Sequence, residues 1–137
     1  MKIDQLRTFF TDLQDNICDA IANEGKENVI SDDWKKDSKQ KLGGSGKTRI
    51  IEKGNIIERG GVNFSDVKGN SLPSSATLTR DELKGLPFRA LGVSLVFHPL
   101  NPYVPTVHMN LRFFCAGNID EFTDQTIWWF GGGIDLT

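Results

Sequence analysis

Between residues 90 and 114 the chain alternates with the period of a β-strand. Leu91, Val93, Leu95 and Phe97 interleave with Gly92, Ser94, Val96 and His98; Val107, Met109, Leu111 and Phe113 interleave with His108, Asn110, Arg112 and Phe114. Successive side chains of a strand point to opposite faces, so each stretch carries one apolar and one polar side. The segment Pro99–Pro105 separates them, and its prolines stop both strands. A third strand is expected through Ile127-Trp-Trp-Phe130, ending in Gly131-Gly132-Gly133. Residues 3–23 follow a different period. Ile3, Leu6, Phe9, Phe10, Leu13, Ile17 and Ile21 recur at spacings of three and four, which predicts a helix that docks on the core and stops at Gly25.

The remaining segments are less regular. Ile50-Ile51 and Ile56-Ile57 around Lys53-Gly54-Asn55 predict a β-hairpin over 48–58. Residues 24–48 are polar and read as a flexible loop able to fold over a ligand. Gly60-Gly61-Val62-Asn63-Phe64-Ser65 breaks the alternation, and 69–77 read as irregular. Thr79-Arg-Asp-Glu82 resembles a capping box and predicts one helical turn before Gly85 and Pro87. Together these elements predict an α+β chain: an antiparallel β-sheet flanked by helices, residues 1–137 forming one domain with the 1–25 helix docked on it.

Composition narrows the function classes. The chain has 137 residues, 38% hydrophobic and 25% charged, which is globular rather than disordered. A net charge of −2 with scattered basic residues excludes a nucleic-acid binder. No apolar run is long enough to span a bilayer, and Met-Lys-Ile-Asp-Gln-Leu-Arg lacks the apolar core of a signal peptide, so a cytoplasmic protein is expected. Cys18 and Cys115 are expected to be free, buried thiols. Gly43-Gly44-Ser45-Gly46-Lys47-Thr48 invites comparison with a phosphate-binding loop, but Lys41 stands where the first glycine of that pattern belongs.

The polar side of the alternating stretch carries the candidate chemistry. His108, Asn110 and Arg112 share a face at intervals of roughly 7 Å, and Ser94 and His98 share a face on the preceding strand. If the two strands pair, these residues form one cluster; a slip of one residue would turn a whole strand over. Arg112 offers a planar fork for a carboxylate, Asn110 a donor and acceptor beside it, and a histidine a proton near neutral pH. Gly92 lets a ligand approach the backbone. These parts suit a small organic anion, although a solvated sheet face alternates in the same way. Asp135, after three glycines, can accept hydrogen bonds from ligand N–H groups, or serve as a turn aspartate. Two histidines ten residues apart match no standard metal signature, and no nucleophile elbow surrounds Ser94.

Four segments together are distinctive. Glu58-Arg-Gly-Gly-Val-Asn-Phe-Ser65, Gly92-Val-Ser-Leu-Val-Phe-His-Pro99, Asn101-Pro-Tyr-Val-Pro-Thr-Val-His-Met-Asn-Leu-Arg112 and Trp128-Trp-Phe-Gly-Gly-Gly-Ile-Asp-Leu-Thr137 resemble the oxygen-dependent coproporphyrinogen III oxidases, in that family's order, from about Trp34 onward. The resemblance implies conversion of coproporphyrinogen III to protoporphyrinogen IX in haem biosynthesis, two propionates becoming vinyl groups with loss of carbon dioxide and consumption of molecular oxygen. It implies a homodimer. It also implies substrate binding by Ser94 and by Asn110, Leu111 and Arg112, a proton donor at His108, and pyrrole N–H binding at Asp135. In bacterial members His98 and His108 correspond to proposed ligands of a divalent metal such as manganese, while many members need no cofactor beyond oxygen as co-substrate.

Two departures bear on what to expect. Family members extend well beyond this length, so the chain is expected to be the N-terminal portion of the family's domain. In that case the remaining ligand histidines and further substrate contacts are absent, and unpaired backbone and apolar surface are expected near residues 126–134. The alternative to a working oxidase is then a non-catalytic domain that at most binds a tetrapyrrole. The second departure is Asp66, where many members carry a histidine.

Overall fold

In the computed structural model, which describes residues 2–36, 42–73 and 80–137, one α-helix lies on a six-stranded sheet. Helix α1 spans Ile3–Gly25, β1 Ile30–Lys36, β2 Leu42–Glu52, β3 Ile57–Gly69, β4 Phe88–Pro99, β5 Val107–Ala116 and β6 Ile127–Leu136. Every neighbouring pair is antiparallel and the order is that of the sequence, β1 to β6, so the sheet is open with β1 and β6 at its edges. The α+β architecture with an antiparallel sheet at its centre is borne out.

The hydrophobic pattern decides which way each strand faces. Val62 and Phe64 of β3, Leu91, Val93, Leu95 and Phe97 of β4, and Phe113 and Cys115 of β5 are buried on the side that α1 covers. Phe10 and Cys18 complete this core from the helix. The apolar stripe of α1 is borne out except at Phe9, which is 52% exposed. Gln14, one turn beyond Phe10, is buried instead. Its Nε2 donates to the carbonyls of Lys47 (2.7 Å) and Val62 (2.9 Å), which supplies the hydrogen bonds that make its burial tolerable. The helix closes one residue later than Gly25 implies, with Lys26 in the left-handed conformation at φ 52°.

The hairpin predicted over 48–58 is present, and it is much longer than its isoleucines indicated. Residues 43–48 do not form a loop: they lie in β2, paired on one side with β1 and on the other with β3. Gly60–Ser65 likewise runs through the middle of β3. The glycines hide the period-two pattern because they carry no side chain, yet the flanking ladders hold them extended. Gly46 has a packing reason: a Cβ there would meet the Trp34 indole at 2.2 Å. Residues 37–41 and 74–79, which include parts of the predicted loop, the irregular segment and Thr79 of the capping box, lie outside the described residues. The helical turn after it is a short 3-10 turn, Asp81–Leu83.

Strand β6 extends through its three glycines to Leu136 and forms an edge. Trp128, Phe130, Ile134 and Leu136 point to the helix side but beyond the reach of α1, which packs on β3 and β4, and all are exposed. The apolar surface expected near 126–134 is therefore present. Cys18 and Cys115 are free and buried, and burial pushes the Cys115 thiol up to about 11.

Candidate functional site on the open face of the sheet

The side of the sheet away from α1 is where the predicted site residues gather. Strands β4 and β5 pair with Ser94 opposite Asn110, Gly92 opposite Arg112 and Val96 opposite His108. That register places Ser94, His98, His108, Asn110 and Arg112 on one face, as the alternation predicted. Strand β6 then brings Asp135 directly opposite His108 and Gly131 opposite Arg112. Asp135 is thus a residue of the same face rather than a turn aspartate. A 440 Å³ depression opens between Thr48, Asn63, Ser94, His108 and Asn110.

Leu111 is the exception among the predicted residues. A strand cannot present three successive side chains to one face, and Leu111 points to the other side, where it packs against the core. Its backbone is committed to ladders with both neighbours, Val93 and Gly132.

Glycines shape the floor. Arg112 has Gly92 on one side and Gly131 on the other, so no neighbouring side chain covers its guanidinium. Its Nη1 donates to Asn110 Oδ1 at 3.0 Å. Gly92 is sterically required: a Cβ there would lie 2.7 Å from the Leu111 carbonyl oxygen and 3.2 Å from the Arg112 Cα. Gly92→Ala is therefore expected to push β4 from β5 and to lower stability by about 1–3 kcal/mol in a thermal melt. Gly133→Ala, where a Cβ meets nothing within 4 Å, should leave the melt unchanged.

One end of the face is walled by a second apolar cluster. Leu72 and Leu83 pack with Ala116, Phe88, Phe114 and Trp129. Phe114 and Trp129 lie 4.4 Å apart by ring centroid, and the Arg80 guanidinium sits 5.1 Å above the Trp129 ring. The other end carries His98, whose Nδ1 is 3.4 Å from Thr106 Oγ1.

The two histidines are diagonal neighbours across β4 and β5, since His98 stands two residues beyond the partner of His108. Among the described residues no three of His, Cys, Asp and Glu come together as metal ligands. The described residues thus offer two histidines on this face, fewer ligands than a metal takes.

Sequence reasoning missed Thr48 and Asn63. Both lie in segments whose glycines obscured the strand, yet Asn63 pairs with Thr48 on one side and with Ser94 on the other. Thr48, Asn63, Ser94 and Asn110 therefore form one straight polar row across four strands. Asp66, by contrast, faces the other way: odd positions of β3 up to Ser65 point to the open side, whereas Asp66 points to the helix side and binds Arg7 and Arg89. Its departure from the family pattern does not alter the face itself.

A family model described as Coproporphyrinogen III oxidase matches residues 5–137. The four segments that carry the resemblance all fall within that match, and each supplies a strand of the open face, β3 to β6. Among the described residues no helix is long and apolar enough to cross a membrane. The chain belongs to the coproporphyrinogen III oxidase family, and its function lies with coproporphyrinogen oxidation in porphyrin biosynthesis.

Proposed function

We propose that the open face binds coproporphyrinogen III and takes part in its oxygen-dependent oxidative decarboxylation to protoporphyrinogen IX. The observation that carries this reading is the register of β4, β5 and β6, which sets an arginine, a histidine and an aspartate on one glycine-floored face. The substrate is a flexible macrocycle with carboxylates at its rim and N–H donors at its centre. Arg112 and Asn110 suit a rim carboxylate, and Asp135 suits the central N–H groups. The glycines let the macrocycle lie close to the sheet.

The chemistry balances without a further oxidant. Each propionate, R–CH2–CH2–COO⁻, gives R–CH=CH2 and CO2 as its carboxylate carbon bond breaks and a hydrogen leaves the adjacent side-chain carbon. The two electrons released pass to O2, which takes up that hydrogen and one proton and leaves as H2O2. The pyrrole is the conduit: Asp135 draws on its N–H, the electron-rich ring adds oxygen as a peroxide, and the peroxide takes the side-chain hydrogen. His108, opposite Asp135, holds the proton for the departing peroxide. The protein contributes orientation and electrostatics, and the substrate is its own reductant.

The test is turnover by the purified chain. Anaerobically reduced coproporphyrinogen III is mixed with the chain, oxygen is admitted, and the products are oxidised to porphyrins and separated by carboxylate number. Products with three and then two carboxylates are expected under air and not under argon. Binding without product in either gas would establish the non-catalytic tetrapyrrole-binding reading for this chain. Undiminished turnover by Asp135→Ala would remove that residue from the N–H-binding role.

A further inference from the structure

We infer that Asn63, held by Thr48, forms a second carboxylate-binding position on the open face, separate from that of Arg112 and Asn110. The inference rests on the tetrapyrrole reading above and deepens it by assigning a site to another of the substrate's acidic side chains.

Hydrogen-bond direction supplies the argument. A carboxamide has one acceptor and one double donor, and what it offers a ligand depends on which end is already used. An arginine can only donate, so the Arg112 contact occupies the Asn110 oxygen. The Thr48 hydroxyl donates to Asn63 Oδ1 at 2.8 Å and occupies the Asn63 oxygen in the same way. Among the described residues neither amide nitrogen has a hydrogen-bond partner. Both asparagines are therefore oriented with the oxygen toward its partner and the N–H2 group outward, so each presents its donors to a ligand. Ser94 lies between them in the row, its small hydroxyl leaving both accessible.

Two amide donor pairs aimed outward recognise acceptors, and a carboxylate is the strongest organic acceptor available. The two asparagines are two strands apart, about 9–10 Å. One carboxylate cannot bridge that distance, so the row reads two. A ligand with a single pair of neighbouring carboxylates is satisfied near Arg112, where the charge is. A ligand with carboxylates all round its rim also reaches Asn63. The position thus discriminates by carboxylate number, favouring the substrate of the reaction over its more apolar product.

Fluorescence titration of the full chain with two stable porphyrins tests this: coproporphyrin, with four carboxylates, and protoporphyrin, with two. Asn63→Ala is expected to weaken coproporphyrin binding about five- to tenfold and to leave protoporphyrin binding within about twofold. Thr48→Val, which keeps the shape but frees the Asn63 oxygen, should shift coproporphyrin in the same direction by a smaller factor. Asn63→Asp should weaken coproporphyrin further than Asn63→Ala, with a loss that shrinks as salt is raised. Melting temperatures within a few degrees of wild type would confirm that the variants fold. Equal losses for both porphyrins, or none for coproporphyrin in Asn63→Ala while Arg112→Ala still weakens it, overturn the Asn63 position alone. If the unsubstituted chain binds neither porphyrin, the tetrapyrrole reading falls and this inference with it.

Discussion

Replacing Arg112 with alanine is expected to weaken binding of coproporphyrin, the stable four-carboxylate analogue of the proposed substrate, by about 30- to 150-fold. A charge-assisted hydrogen-bond pair to a carboxylate contributes about 2–3 kcal/mol where the donor is held in place. Arg112 is held by its bond to Asn110 and lies between two glycines that neither cover it nor compete for it. The fold should tolerate the change, because Arg112 is exposed on the open face. Arg112→Lys distinguishes geometry from charge: it keeps the cation and loses the planar fork, and should recover only part of the affinity. The loss should also ease at high salt, as solvent screening weakens the native contact. A titration in which Arg112→Ala binds like the unsubstituted chain would exclude this residue as the carboxylate anchor.

The second large effect concerns stability. Asp66 has a side chain only 5% exposed, and its carboxylate accepts hydrogen bonds from Arg89 Nε at 2.8 Å and Arg89 Nη2 at 2.7 Å, with Arg7 on the same oxygen as the latter. Asp66→Ala would leave Arg89, itself 15% exposed, buried without its partner. The expected loss is about 3 kcal/mol, and a Tm lowered by about 10 °C. Arg7 contributes less, because at 39% exposure solvent screens it. The effect should depend on pH. Burial alone would raise the Asp66 carboxyl; the Arg89 and Arg7 guanidiniums outweigh it and hold the group below its ordinary value. The unfolded chain therefore binds this proton more readily than the folded one, and stability from Asp66 rises with pH through that window. It should be fully present above about pH 5 and lost as pH falls through the lowered value. The gap between the melts of the unsubstituted chain and Asp66→Ala should close in acid. A gap that persists unchanged at low pH would mean that charge at Asp66 is not what holds this end of the sheet.

The parts of this molecule that were legible in its sequence are those where side chains reveal the period. In β4 and β5 every second residue is large and apolar, and a one-residue slip would expose Leu91, Val93, Leu95 and Phe97 together. Register there is thus nearly dictated, and with it the face that carries Ser94, His98, His108, Asn110 and Arg112. Legibility fails at glycine. Gly43, Gly44, Gly46, Gly60, Gly61 and Gly131–Gly133 lie inside strands but have no side chain to mark a face, and only the neighbouring strands hold them extended. That is why the strand character of residues 43–47 and of the middle of β3 is hidden in the sequence, and with it the row of Thr48 and Asn63. The pairing of Asp135 with His108 depended on β6 continuing through its glycines, which local preference opposes and the ladder with β5 enforces. Within α1, hydrophobicity alone favoured Phe9 over Gln14; two backbone carbonyls of β2 and β3 reverse that order.

The sheet offers a flat macrocycle two surfaces of opposite character. One is the polar open face; the other is the bare apolar strip of Trp128, Phe130, Ile134 and Leu136 on the helix side. The central claim is that the polar face is the binding surface. The most direct measurement is a nuclear magnetic resonance titration of the labelled chain with coproporphyrin, following side-chain signals on both sides. The account predicts that the Asn63 and Asn110 amides and the Arg112 guanidinium shift together with one dissociation constant, while the Trp128 indole stays in place. Shifts confined to Trp128, Phe130, Ile134 and Leu136, with the asparagine and arginine signals unmoved, would contradict it.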